Sequence, residues 1–156
     1  MPHAGETTGP ETIWDALVSL GAERIEHGIT AVQDQHLLAH LMQHKIALDL
    51  CLTSSVALRQ VPDLDHHPIR ELLAAGVTVT INTDDPAMFG TDLTTEYAIA
   101  ARLLDLDERG LTELALAAVD ASSPLPRPEQ RCAPKSAPMP RCQLLDRDCR
   151  LSSRCL

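Results

Sequence analysis

The chain has 156 residues and a mass of 17.0 kDa, the size of one ordinary domain, so two large cores are excluded. Its 13 Lys plus Arg against 22 Asp plus Glu leave a net charge of -9, which disfavours a nucleic-acid backbone or an anionic membrane as partner and leaves small neutral ligands open. Hydrophobic content of 44% and a mean hydropathy of -0.06 fit a soluble globular chain. No apolar run approaches the roughly 18 residues of a membrane span, and the opening residues lack the pattern of a signal peptide, so a cytoplasmic location is expected.

In chain order, Gly9-Pro10-Glu11-Thr12 opens a helix that runs to about Leu20, with Thr12 or Gly9 as cap, apolar Ile13, Trp14, Leu17 and Val18 at helical spacing, and Gly21 as stop. Arg24 to Gly28 reads as a short strand entering a loop. Asp34 starts a second helix through Leu37, Leu38, Leu41 and Met42. The apolar run Ile46 to Leu52 has strand length and ends in Thr53-Ser54-Ser55. His67-Pro68 begins a helix through Ile69, Leu72 and Leu73, closed by Gly76. Val77 to Asn82 is nearly all β-branched and is the clearest strand; Asn82-Thr83-Asp84-Asp85-Pro86 ends it with turn formers. Leu93 to Leu106 and Leu111 to Val119 are helical. Three strands alternating with helices at this spacing predict βα units on a parallel sheet.

Composition breaks near Ser122. Residues 1–121 hold 6 Lys plus Arg and 19 Asp plus Glu, a net -13, whereas residues 122–156 hold 7 and 3, a net +4. The tail carries six of the 11 prolines and four of the five cysteines, and it has almost no apolar periodicity. It is expected to be mostly disordered. Cys132, Cys142, Cys149 and Cys155 lack the close pairing of a zinc knuckle, and nothing signals the secretion that a disulfide framework would require.

His27, Ser54-Ser55 and Asp84-Asp85 each follow the carboxyl end of a predicted strand, where α/β barrels gather their active-site groups, and His3 and Glu6 precede the first helix in the same position. One face thus collects imidazoles and carboxylates suited to metal binding and acid–base chemistry.

His3-Ala4-Gly5-Glu6, Arg24-Ile25-Glu26-His27-Gly28, Cys51-Leu52-Thr53-Ser54-Ser55 and Asn82-Thr83-Asp84-Asp85-Pro86, in this order and at these intervals, resemble the adenosine deaminase family of zinc-dependent TIM barrels. The resemblance implies an α/β fold, the C-terminal part of a (β/α)8 barrel over residues 1–121, followed by an irregular tail at 122–156. It implies a purine nucleoside as substrate and Zn2+ as cofactor. By the same resemblance His3 and Asp84 are zinc ligands, Glu6 donates a proton to the purine ring, and Asp85 fixes the purine on its imidazole side. His27 is expected to orient and help deprotonate the zinc-activated water and to act as electrostatic partner of the developing alkoxide.

The implied reaction is hydrolytic deamination of adenosine or a related 6-aminopurine nucleoside. Adenine and aminodeoxyfutalosine are alternatives, as is an inactive fragment that needs a complementary half. The family takes two further zinc ligands from an H-x-H motif upstream of its HAGE, and no H-x-H occurs in this sequence, so an incomplete site and exposed sheet edges are expected. Glu26 stands where many relatives have glycine, and Leu52 and Ser55 where many have proline and asparagine.

Ordinary structural roles are expected for several other groups. His36, His40 and His44 recur on a helix away from the strand ends, His66-His67 are expected to cap the helix at Pro68, and Cys51 is expected to be a core residue. Glu96-Tyr97 sit where they could brace the site from behind.

Overall fold

The computed structural model describes residues 1–122. The apolar and β-branched runs form strands β1 (His3–Ala4), β2 (Arg24–His27), β3 (Ala47–Leu50) and β4 (Val79–Ile81). They build one wholly parallel sheet in the order β1-β2-β3-β4, the sequential arrangement of a barrel wall. Helix α1 (Glu11–Leu20) follows β1, and a 3-10 turn (Ile29–Gln33) and α2 (Gln35–His44) follow β2. After β3 come α3 (Leu52–Ala57), a second 3-10 turn (Leu64–His66) and α4 (Ile69–Ala74); after β4 come α5 (Pro86–Phe89), α6 (Leu93–Leu104) and α7 (Glu108–Ala121).

Side chains alternate across the sheet. Ile25, Leu48, Leu50, Val79 and Ile81 lie in the core with Leu37 and Leu41 of α2 and Ile69 and Leu72 of α4. Each such side chain contributes about 1.5–3 kcal/mol by leaving water. Register aligns His3 with Glu26, Glu26 with Asp49 and Asp49 with Thr80, so a polar row crosses the sheet on the other parity. Within that row the Arg24 guanidinium reaches the buried Asp49 carboxylate at 2.5 Å, and the Thr80 hydroxyl donates to the same oxygen.

The helix boundaries have local causes. The Asp34 carboxylate accepts from the backbone N–H groups of His36 (2.8 Å) and Leu37 (3.2 Å), and Asp92 and Asp107 cap α6 and α7 in the same way. Gly21 closes α1 in the left-handed conformation.

The structure departs from the sequence-based expectations in four places. The sheet has four strands rather than three, because His3–Ala4 pairs with β2. The strand expected through Leu52 stops at Leu50, and Ser54 and Ser55 lie inside α3 rather than at a strand end; their hydroxyls bond back to the Cys51 carbonyl at 3.2 and 2.9 Å. Pro10 occupies the cap position of α1 without a side-chain bond, while the Thr12 hydroxyl accepts from Gly5 N–H at 2.9 Å and donates to the Gly9 carbonyl. Helix α7 begins three residues earlier than expected, at Glu108. The tail expected to be disordered lies, from residue 123 on, outside the described residues.

Lys45 closes α2 with φ of 53°, exposed and with a Cβ that this conformation disfavours. Lys45→Gly is expected to raise stability by about 0.5–1 kcal/mol, seen as a higher urea midpoint, because relief of left-handed strain exceeds glycine's added chain entropy.

Candidate active site

The carboxyl ends of β1, β2 and β4 bring four side chains together. His27 Nε2 lies 3.1 Å from His3 Nδ1, 3.6 Å from Glu6 Oε1 and 3.9 Å from Asp84 Oδ2. Glu6 Oε2 is 3.7 Å from His3 Nδ1. His27 is completely buried, whereas the His3 side chain keeps 57% of its surface in solvent. The rim therefore has a fixed inner imidazole and an accessible outer one.

Backbone geometry aims these groups. His27 and Asp84 have φ of 64° and 56°, values that bulky residues avoid. At Lys45 and Asp105 the same conformation simply closes a helix; at His27 and Asp84 it turns the chain at a strand end, where strain is kept for function. Gly5, at φ of 61°, permits the turn between His3 and Glu6: a Cβ there would stand 2.4 Å from the Ile13 side chain and 2.7 Å from the Thr30 hydroxyl.

Gln60, which sequence reasoning did not single out, donates from Nε2 to Glu6 Oε1 at 2.7 Å across 54 residues of sequence. A carboxamide can donate to a carboxylate or, turned over, accept from a carboxylic acid, so Gln60 can hold Glu6 in either protonation state. A cleft of about 510 Å³ opens beside this pair, lined in part by Thr8, Thr30 and Arg59.

Asp85 is not drawn into the cluster. It is exposed, and its Oδ1 accepts from Met88 N–H at 2.9 Å as the cap of α5. Ser54 and Ser55 are buried and spend their hydroxyls on α3. On α2, His40 stacks 5.0 Å from Trp14 and 4.3 Å from His44, so these histidines form a surface stack. Cys51 is buried, and burial with the Glu26 carboxylate beside it pushes its thiol well above the usual range, which removes it as a nucleophile.

Glu96, placed by the sequence where it could brace the site, holds the start of α3. Fully buried on α6, its Oε2 accepts from the backbone N–H groups of Leu52 (2.9 Å) and Thr53 (3.2 Å), and its Oε1 accepts from the Thr91 hydroxyl at 2.8 Å. A carboxylate from α6 thus satisfies the N-terminus of α3. His67, also buried, accepts from Ile69 N–H on Nδ1 at 3.2 Å and so caps α4. Burial, with the charge on His27 as a second cause, lowers the His67 imidazole from 6.5 to about 4.

The donor atoms of His3, Glu6 and His27 lie within 4.8 Å of one another. Imidazole nitrogens and carboxylate oxygens are the donor types that zinc accepts, so the cluster fits that ion.

A sequential parallel sheet with such a cluster at its carboxyl rim is the arrangement of an α/β-barrel wall. The adenosine deaminase family model matches residues 1–132, and the chain belongs to that family. It is 66% identical over 122 residues to an aminodeoxyfutalosine deaminase of Streptomyces avermitilis, covering 78% of this chain and 34% of that protein. It is 50% identical over 99 residues to an adenosine deaminase of Klebsiella pneumoniae subsp. pneumoniae, covering 64% and 30%. The crystal structure of adenine deaminase from Arthrobacter aurescens superposes with a TM-score of 0.73 at 35% identity, covering 77% of this chain and 37% of that one. The chain thus spans about a third of the length of these relatives.

Glu96→Ala leaves the buried Leu52 N–H and the partly buried Thr53 N–H without their acceptor and is expected to cost about 3 kcal/mol in urea unfolding. His67 binds its proton more weakly in the folded chain than in the unfolded one, so its contribution to stability is complete above pH 6.5 and is lost as pH falls toward about 4. The loss is on the order of 3 kcal/mol, measured as the part of the acid slope of the urea midpoint that disappears in His67→Asn.

Proposed function

We propose that this chain carries part of the active site of a zinc-dependent deaminase that hydrolyses a 6-aminopurine nucleoside to the 6-oxo product and ammonia. The observation that carries the reading is His27 Nε2 lying 3.1 to 3.9 Å from side-chain atoms of His3, Glu6 and Asp84 at the sheet's carboxyl rim. His3 and Asp84 would hold the metal, which when bound lowers the pKa of water toward about 7 and so supplies a nucleophile at neutral pH.

The chain's own residues account for the rest. Glu6, mostly covered and steadied by Gln60, is placed to pass a proton to a ring nitrogen of the purine, which makes C6 electrophilic; the amino group then leaves as ammonia with a proton that comes from the adding water. His27, fixed by complete burial, presents Nε2 to the oxygen that adds at C6. Asp85 Oδ1 serves the α5 cap, and its other oxygen, when protonated, would donate to the purine's N7 on its imidazole side. Higher identity to aminodeoxyfutalosine deaminases, 66% and 62% against 50% for the Klebsiella adenosine deaminase, favours aminodeoxyfutalosine over adenosine as substrate.

The assay follows the change in purine absorbance with zinc added, with and without a separate polypeptide that supplies the H-x-H strand. Turnover is expected only with that polypeptide, faster on aminodeoxyfutalosine than on adenosine, and reduced by about 100- to 10,000-fold in Glu6→Gln. Turnover that Glu6→Gln leaves unchanged overturns the assignment.

A further inference from the structure

A chain of side-chain hydrogen bonds climbs the sheet from its foot toward its rim. Arg24, at the start of β2, donates from its guanidinium to Asp49 Oδ1, and the Thr80 hydroxyl of β4 donates to the same oxygen. Asn82 Nδ2 in turn donates to Thr80 Oγ1 at 2.8 Å, while the Asn82 backbone N–H donates to the Leu50 carbonyl at 2.8 Å. Asp49 and Thr80 are buried and Asn82 is half-buried, so water competes little for these bonds.

The ion pair gives this chain a direction. A carboxylate paired with a guanidinium only accepts, so the single hydroxyl proton of Thr80 is spent on Asp49. What Thr80 has left for Asn82 is a lone pair, and only the NH2 end of the carboxamide can use it. Asn82 therefore lies back along the strand in one orientation. Two residues on, the chain leaves through Asp84 at φ of 56°, a conformation that persists only where the surroundings hold it. Strand β4 is three residues long, and its own pairing gives that exit little rigidity.

We propose that Thr80 and Asn82 are positioning residues for Asp84. The Arg24–Asp49 pair, acting through Thr80, sets the Asn82 carboxamide, and the fixed carboxamide holds the strand exit in the left-handed turn. That turn aims the Asp84 carboxylate at the rim, where its Oδ2 lies 3.9 Å from His27 Nε2. The consequence for metal binding rests on the reading of Asp84 as a zinc ligand, whereas the backbone conformation does not. A chain that fails to bind zinc and a turn that ignores Thr80 are therefore separate results.

The test compares the metal-free parent chain with Thr80→Val, which keeps the side-chain shape but removes the hydroxyl, and with Thr80→Ser, which restores it. In ¹⁵N and ¹³C spectra of the parent, the Asn82 NH2 protons are expected to exchange slowly with solvent and Asp84 Cα to show the shift of a left-handed residue. Thr80→Val is expected to lose both signatures and Thr80→Ser to recover them. Zinc alone, titrated against a chelating dye, is expected to bind about 10- to 100-fold more weakly to Thr80→Val. Its affinity is expected to be unchanged in Thr80→Ser and in Ile69→Val, a core change on α4 outside the hydrogen-bonded chain. Asn82 and Asp84 spectra unchanged in folded Thr80→Val overturn the proposal, as does a loss that Ile69→Val reproduces. Should Thr80→Val not fold, Asn82→Ala decides, because it removes a half-buried side chain and leaves the Asp49–Thr80 bond in place. Loss of the Asp84 signature in that variant supports the proposal, and its survival overturns it.

Discussion

Three backbone hydrogen bonds hold the rim together. Glu26 N–H donates to the Pro2 carbonyl and Gly28 N–H to that of Ala4, both at 2.9 Å, and Thr30 N–H donates to that of Gly5 at 3.1 Å. They fix the first strand, only two residues long, against β2 in the register that sets Ala4 beside His27. A slip of one residue would exchange the faces of His3 and Ala4, sending the imidazole into the core and the methyl group to the rim. So short a strand has little pairing energy of its own. Its register is secured from outside, by the Thr12 hydroxyl that accepts from Gly5 N–H and by the packing of Ile13 against Gly5. Helix α1 is therefore part of the site's mechanics although it contributes no group to the cluster.

The same economy recurs on the other side. Glu96 carries information from α6 back to the start of α3, and Gln60 carries it from the chain beyond α3 to Glu6. Both bonds join residues more than 40 positions apart; one ends on the start of α3 and the other on Glu6 of the cluster itself. Gly28, at φ of 68°, belongs to this scheme as well: a Cβ there would meet the Leu48 side chain at 2.7 Å, so the turn after His27 can lie flat on β3 only with glycine. The strained conformation at His27 persists in a side chain that is completely buried.

Local chemistry was legible in the sequence and distant chemistry was not. Gly21 as a left-handed stop, Asp34 as a cap and the β-branched run into β4 each announce themselves within a few residues, and each is found where expected. The strand-end placement of His27 and Asp84 follows from the same local signals. Strand β1 escaped because two residues carry no periodicity. Helix α3 escaped because Leu52 continues an apolar run, and what ends the strand is a carboxylate 44 residues later in the chain. Gln60 gave no signal at all, since a glutamine in a polar stretch is ordinary until Glu6 is seen beside it. Asp85 shows the opposite failing: the turn chemistry that the sequence offered as the plain reading accounts for one of its oxygens, so a motif can be right in place while its atoms serve the fold.

Beneath the rim, the polar row adds a field. Glu26 and Asp49 are buried in register with His3, and among the described residues Arg24 is the one cation that meets them, through Asp49. With Glu6 and Asp84 above, four carboxylates stand against one guanidinium within a small volume. Buried charges of one sign are costly unless something of the opposite sign is held nearby. A divalent cation among His3, Asp84 and the other rim groups would relieve that imbalance, and a protonated His27 would relieve part of it. Glu26 makes the imbalance larger directly beside His27. A cation at the rim would thus be favoured by the layer below as much as by the groups that would touch it.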